Sequence, residues 1–256
     1  MAKIICVANQ KGGVGKTTTA VNLAASLAAA EKKTLVVDCD PQANATSGVG
    51  RSAEEQGPGI YDVLVGRAEP EEAVYQTGVP YLYILPGTID LIGMEVEFVE
   101  VEDRHLRVRR LVDAVADDFE YVFLDCPPSL GLITLNALVA AKSVLVPLQC
   151  EYYALEGLSR IVTTVNRVKE AHRPELELEG ILLTMFDRRN NLSHQVAEEV
   201  KKYFGDKIFK TVIPRNVRLS ESPSFGQPVL MYDIRSKGAQ SYLQLARELL
   251  IKHGSR

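Results

Sequence analysis

The sequence predicts an α/β fold: a single domain over residues 1–256, built on one doubly wound, mostly parallel sheet with helices on both faces. Three observations predict it. Short apolar runs rich in β-branched residues recur along the chain, each bounded by Gly, Pro, Asp or Asn; stretches with apolar residues at helical spacing lie between most of them; and no Gly/Ser-rich linker, internal repeat or composition break divides the 256 residues. Strands that are apolar on both sides need cover on both faces, which alternating helices supply.

Ile4–Ala8 is the first such run, followed by a glycine-rich turn and then Val21, Ala24, Ala25 and Ala28 at helical spacing. Leu35–Val37 ends at Asp38, and Leu82–Leu85 is closed by Pro86. The acidic stretch Glu95–Asp103 (EVEFVEVED) reads as the solvated side of a helix. Tyr121–Leu124 runs into Asp125, and Val144–Leu148 precedes a helical pattern at Leu155, Leu158, Ile161, Val162 and Val165. Ile181–Thr184 and Thr211–Ile213 complete the expected strands. The last pattern, Tyr242, Leu243, Leu245, Ala246, Leu249 and Leu250, reads as a helix packed on the domain rather than a detachable membrane helix.

A chain of this length that is 46% hydrophobic and 24% charged can bury a large core, and this excludes fibrous and disordered classes. No run reaches the roughly 18 apolar residues of a membrane span, and MAKIICVANQ has no secretory leader pattern, so a cytoplasmic protein is expected. Cys6, Cys39, Cys126 and Cys150 lie far apart without metal-ligand spacing and are expected to be buried thiols. Charge is asymmetric: residues 1–128 hold 11 basic and 20 acidic side chains, whereas residues 185–256 hold 13 and 7. Such an excess hints at a polyanion partner for one face.

The chemistry begins directly after the first run, at Gln10-Lys11-Gly12-Gly13-Val14-Gly15-Lys16-Thr17-Thr18. The pattern G-x-x-x-x-G-K-[ST] asks for Gly where Gln10 stands, so the strict form is not met, but the variant K-G-G-V-G-K-T is complete. Gly12, Gly13 and Gly15 leave backbone N–H groups free to turn around phosphate oxygens, and a helix starting near Lys16 adds its positive end. A nucleoside triphosphate is the expected guest: Lys16 reaches the β- and γ-phosphates, the Thr17 hydroxyl ligates Mg²⁺, and Thr18 bonds the α-phosphate. Asp125, at the end of an apolar strand, is placed to hold Mg²⁺ directly or through water. Asp38 and Asp40 share one face if the second strand stays extended there, and one of them is placed to orient an attacking water.

The added lysine of K-G-G-V-G-K-T, together with D-C-D-P-Q-A-N-A-T-S-G (38–48), D-C-P-P-S-L-G (125–131), Q-C-E-Y-Y-A-L-E-G-L (149–158) and I-P-R-N-V-R-L-S-E (213–221), resembles the ParA/Soj family. These are P-loop ATPases of DNA partitioning with a deviant Walker A motif, and the resemblance runs from Lys3 to about Leu250. It implies ATP or ADP with Mg²⁺ as cofactors and an ATP-bound sandwich homodimer in which Lys11 reaches the phosphates held by the other subunit. A cation delivered in trans offsets the repulsion of two facing triphosphates. The resemblance further assigns Gly12, Gly13, Val14, Gly15, Lys16, Thr17 and Thr18 to the phosphates, Asp40 to the hydrolytic water, and Thr17, Asp40 and Asp125 to the metal, with Asp38 assisting. Adenine is placed near Met185, Pro214, Arg215 and Asn216.

The same resemblance implies nonspecific binding of double-stranded DNA through Arg189 and Arg218, with Arg188, Lys201, Lys202 and Arg215 as lesser candidates. It also implies stimulation of a weak ATPase by a ParB-type centromere-binding protein, and a nucleoid-associated location. Two departures are visible: Ala43 stands where many relatives have glycine, and the chain starts at the first strand with no helix-turn-helix extension ahead of it. A MinD-like membrane switch, an iron–sulfur or metal carrier of the same fold class, and a nucleotide switch without turnover are the competing readings.

Overall fold

The computed structural model describes residues 1–52, 55, 57–151 and 154–254. Its strands are β1 (Lys3–Val7), β2 (Thr34–Asp38), β3 (Tyr75–Gln76), β4 (Leu82–Leu85), β5 (Tyr121–Asp125), β6 (Ser143–Gln149) and β7 (Glu177–Thr184). They form one sheet in the order β3-β4-β2-β5-β1-β6-β7, parallel throughout except for the β3–β4 pair. The helices are α1 (Lys16–Ala28), α2 (Asn44–Gly48), α3 (Ile60–Leu64), α4 (Met94–Glu97), α5 (Arg107–Val115), α6 (Leu132–Ala140), α7 (Ala154–Ala171), α8 (Asn191–Phe204), α9 (Val217–Glu221), α10 (Val229–Tyr232) and α11 (Lys237–Lys252).

Side chains alternate across each strand, and this splits the core into two layers. Ile4, Cys6, Val122 and Leu124 face a layer filled by Val108, Leu111 and Val112 of α5, Ala137 and Leu138 of α6, and Ile161 of α7. Ile5, Val7, Tyr121 and Phe123 face the other, filled by Leu23, Ala24 and Leu27 of α1 and by Tyr242, Leu245 and Leu249 of α11. The expected doubly wound architecture is therefore present. The C-terminal pattern is a helix seated on the sheet: Leu245 and Leu249 are fully buried, and the Tyr242 hydroxyl hydrogen-bonds that of Thr19 on α1 at 3.2 Å. At the sheet floor, Glu179 accepts hydrogen bonds from Lys252, His253 and the Ser143 hydroxyl, which pins the end of α11.

The sequence reading departs from the structure in three places. Thr211–Ile213 is not a strand, although it runs beside β7, where Phe209 N–H bonds the Ile181 carbonyl and Ile213 N–H that of Leu183. Between those bonds, the N–H groups of Lys210 and Thr211 are captured by the Glu248 carboxylate of α11. The antiparallel edge strand β3 has only two residues, too few for a periodic signal. The acidic stretch is not one face of a long helix either: it follows a 3₁₀ turn at Ile89–Gly93, contains only the short α4, and continues as turns to Arg104.

Candidate nucleotide site

In a parallel sheet the loops after the strand C-termini gather at one edge, and the glycine-rich loop emerges there from β1 at the centre. Asn9 anchors its start: Nδ2 donates to the Pro147 carbonyl of β6 at 2.8 Å, while Oδ1 accepts from Lys11 N–H at 3.1 Å. Gly13 and Gly15 adopt left-handed φ of 72° and 85°, which a side chain would strain. Gly15 precedes α1 without any side-chain cap, so the first N–H groups of the helix have no capping side chain and point at the loop. From β7, the Thr184 hydroxyl donates to the Val14 carbonyl at 2.8 Å and holds the loop's outer turn.

The two lysines are held differently. Lys16 is buried, and its Nζ donates to the Lys11 carbonyl at 3.2 Å. Burial lowers its pKa, while the charges of Asp125 and Asp40 pull it back up. Lys11 instead reaches sideways to Glu151, Nζ to Oε2 at 2.5 Å, with both side chains about half exposed. The other Glu151 oxygen accepts from Gln149 Nε2.

Asp38 and Asp125 lie side by side in register at the ends of β2 and β5, both fully buried. Their surroundings separate their roles. Asp38 is saturated: Oδ1 accepts from Asp40 N–H at 3.1 Å, and Oδ2 accepts from both the N–H and the hydroxyl of Thr46 at 2.8 Å. Thr46 Oγ1 in turn accepts from Gly87 N–H at 3.0 Å. The chain therefore turns at Asp38 instead of staying extended to Asp40, because the carboxylate ties back to its own loop. Asp38 builds the loop and has no free oxygen for an assisting role.

Asp125 is the opposite case: neither carboxylate oxygen has a hydrogen-bond partner. Burial first, then the Asp38 charge, pushes its pKa well up, and the nearby Thr17 hydroxyl and Lys16 ammonium pull it down. A buried carboxylate with both oxygens unsatisfied is costly unless a cation or ordered water completes it. This donor set fits Mg²⁺ held by Thr17 and, through water, Asp125. Among the described residues no three His, Cys, Asp or Glu side chains converge as a stand-alone metal site, so nucleotide oxygens would have to complete the coordination. Asp40 is nearly buried at the mouth, with Oδ1 accepting from Gln42 N–H at 3.0 Å.

A cavity of about 340 Å³ opens beside Gly15 and Thr18, walled by Met185, Pro214, Arg215 and Asn216, the segments expected to hold adenine. Met185 takes a left-handed φ of 49°, and the buried Asn216 Oδ1 has no hydrogen-bond partner. Arg188, Arg189 and Arg215 share a separate wide groove with Lys207, Lys210 and Arg247. Arg218 is not part of that groove and pairs with Glu221 at 2.8 Å and Asp233 at 3.3 Å; Arg189 pairs with Asp187 at 3.0 Å. Lys201 and Lys202 are exposed at the end of α8.

The structure thus brings together Lys11 to Thr18, Asp40 and Asp125, with the base cavity alongside. Sequence reasoning missed Asn9, Thr46, Gly87, Glu151 and Thr184. Thr46 lay inside a motif already quoted, and Gly87 in a Pro-Gly turn directly after a strand. Tyr152 and Tyr153 of the Q-C-E-Y-Y motif lie outside the described residues. Three of the four cysteines, Cys6, Cys39 and Cys126, are fully buried, and the Cys6 and Cys126 sulfurs lie 3.3 Å apart as a thiol hydrogen bond.

A protein-family profile described as an AAA domain matches residues 2–178. The chromosome partitioning protein ParA of Myxococcus xanthus is 56% identical over 98% of this chain and 88% of its own length. The sporulation initiation inhibitor protein Soj of Bacillus subtilis is 54% identical over 97% of this chain and 98% of its own. Among solved structures, cobyrinic acid a,c-diamide synthase from Mycobacterium smegmatis with bound ADP and magnesium superimposes with a TM-score of 0.87 at 35% identity, covering 100% of this chain and 96% of that one.

Proposed function

Because the chain belongs to the ParA/Soj family of P-loop ATPases, we propose that it is a Mg²⁺-dependent ATPase of chromosome or plasmid partitioning that works as a nucleotide-switched dimer on DNA. The observation that carries this reading is the unpartnered Asp125 carboxylate, buried beside Thr17 and Lys16 at the start of α1. The backbone N–H groups of residues 12–16 and the Lys16 ammonium bind the phosphates, and the base enters the cavity between Met185 and Asn216. When bound, Mg²⁺ supplies neutralisation of charge on the β- and γ-phosphates; Thr17 and Asp125 hold it. Asp40 orients the attacking water from the rim.

Lys11 exchanges Glu151 for the triphosphate of a second copy, so dimerisation depends on the γ-phosphate. Exposed ion pairs contribute only about 0–1 kcal/mol, so the exchange is easily driven. The same weakness lets Arg189 and Arg218 trade their carboxylates for duplex phosphates without reading sequence. A ParB-type partner accelerates hydrolysis and releases the nucleoid-bound dimer.

Titrating the protein with duplex DNA in the presence of ATP, ADP or no nucleotide, at two salt concentrations, tests this reading. Binding is expected only with ATP, is expected to weaken steeply with salt, and is expected to persist in Asp40→Ala after the wild type has hydrolysed its ATP. Equal binding in all three nucleotide states, or a monomer in sedimentation with a nonhydrolysable ATP analogue and Mg²⁺, would overturn it.

A further inference from the structure

Between Thr88 and Asp103 the chain carries six acidic residues and no basic one. The fold turns this segment in a particular way. Leu91, Met94 and Phe98 point inward and are buried, whereas Ile89, Ile92, Val96 and Val99 are 64%, 60%, 76% and 56% exposed. Asp90, Glu100 and Glu102 are exposed around them, and Glu97, also exposed, accepts from the Tyr61 hydroxyl. A solvated helix face would be polar; four large aliphatic side chains set among carboxylates are instead the mark of an interaction surface.

We propose that Ile89, Ile92, Val96 and Val99 form a docking site for a cationic amphipathic segment of a partner protein. Its apolar stripe covers the four aliphatics, and its Lys or Arg side chains meet Asp90, Glu100 and Glu102. Charge decides the occupant. A second copy docked face to face would stack carboxylates on carboxylates, and duplex phosphates would be repelled in the same way. The site follows β4, whereas the arginine groove lies beyond β7 at the opposite edge of the sheet, so DNA and this partner engage without competing.

The patch also has a direct mechanical connection to the candidate water-orienting carboxylate. The main chain entering it passes through Gly87, where an added Cβ would fall 2.9 Å from the carbonyl oxygens of both Asp38 and Asp40. Gly87 N–H bonds the same Thr46 hydroxyl that holds Asp38. A partner that shifts or stiffens residues 89–99 therefore acts on the Asp40 loop through one backbone contact, and this is the route by which docking changes the hydrolysis rate. That consequence rests on the ATPase reading above; the docking itself does not.

The test uses the full chain and a 20-residue synthetic peptide with leucine at i, i+3, i+4 and i+7 positions and lysine elsewhere. A scrambled peptide of the same composition and a version with glutamate for lysine serve as controls. Fluorescence anisotropy is expected to show the helical lysine peptide binding at least tenfold more tightly than the scrambled one. Val96→Asp should weaken it at least tenfold, and Glu100→Lys with Glu102→Lys should transfer preference to the glutamate peptide. None of these exposed substitutions should change basal ATP turnover. Equal affinity for helical and scrambled peptides, affinity unchanged in the variants, or a change in oligomeric state caused by Val96→Asp alone would overturn the proposal. Absence of ATP turnover in the wild type would strike the ATPase reading and leave the binding result standing.

Discussion

Replacing Thr46 with valine keeps the shape of the side chain and removes the hydroxyl that joins Asp38 to Gly87. One hydrogen bond to a buried carboxylate is lost, at about 1.5–3 kcal/mol, and the buried Gly87 N–H is left without a partner, at about 1–3 kcal/mol. Together these destabilise the fold by roughly 3–5 kcal/mol, a large part of a typical total of about 5–15 kcal/mol. Thr46→Ser retains both hydrogen bonds and gives up a methyl group, about 1 kcal/mol. Urea unfolding should show the midpoint of the valine variant far below that of the serine variant, at an unchanged slope. ATP turnover should fall in the valine variant even where folded protein predominates, because the Asp40 loop loses its support. A valine variant within 1 kcal/mol of wild type, or serine and valine variants of equal stability, would refute the idea that this clamp organises the site.

Other outcomes follow from single contacts. Burial alone would raise the Glu179 pKa, but hydrogen bonds from His253, Lys252 and Ser143 hold it at about 2 against an ordinary value of 4.5. Its stabilisation, about 3 kcal/mol, is present above pH 4.5 and lost as pH falls toward 2, and Glu179→Gln should flatten that part of an acid-unfolding curve. Ala43 sits at a left-handed φ of 52° before α2, so Ala43→Gly trades about 1–2 kcal/mol of strain for a smaller loss in chain entropy. A slightly raised melting temperature is expected, and a lowered one would count against the strain. The Asn216 Oδ1 faces the base cavity walls without a partner; Asn216→Ala should reduce the preference for ATP over GTP about tenfold in competitive binding.

Much of this was legible before any coordinates, for physical reasons. The parallel strands announced themselves because burial on both faces demands unbroken apolar runs, and the phosphate loop did so because only glycines permit the φ values seen at Gly13 and Gly15. Side-chain capture of main-chain groups was not legible. Glu248 is 37 residues from Thr211, and Thr46 is 41 from Gly87, so no local pattern encodes either contact. The same blindness misread Asp38, whose spacing to Asp40 suggested a shared face until the Thr46 hydroxyl claimed it. The acidic segment was misread because its period matched neither a helix nor a strand, and only the fold reveals which of its aliphatics face outward.

The bond from Lys16 to the carbonyl of Lys11 bears on kinetics. An ammonium resting on its own loop's main chain is already desolvated and already aimed, so an arriving phosphate replaces one acceptor with a stronger one and little reorganisation is required. Swapping spent for fresh nucleotide then proceeds without dismantling the loop. The timing of the cycle is left to the slower step at the Asp40 rim, where a clock that outside signals can reset is most useful.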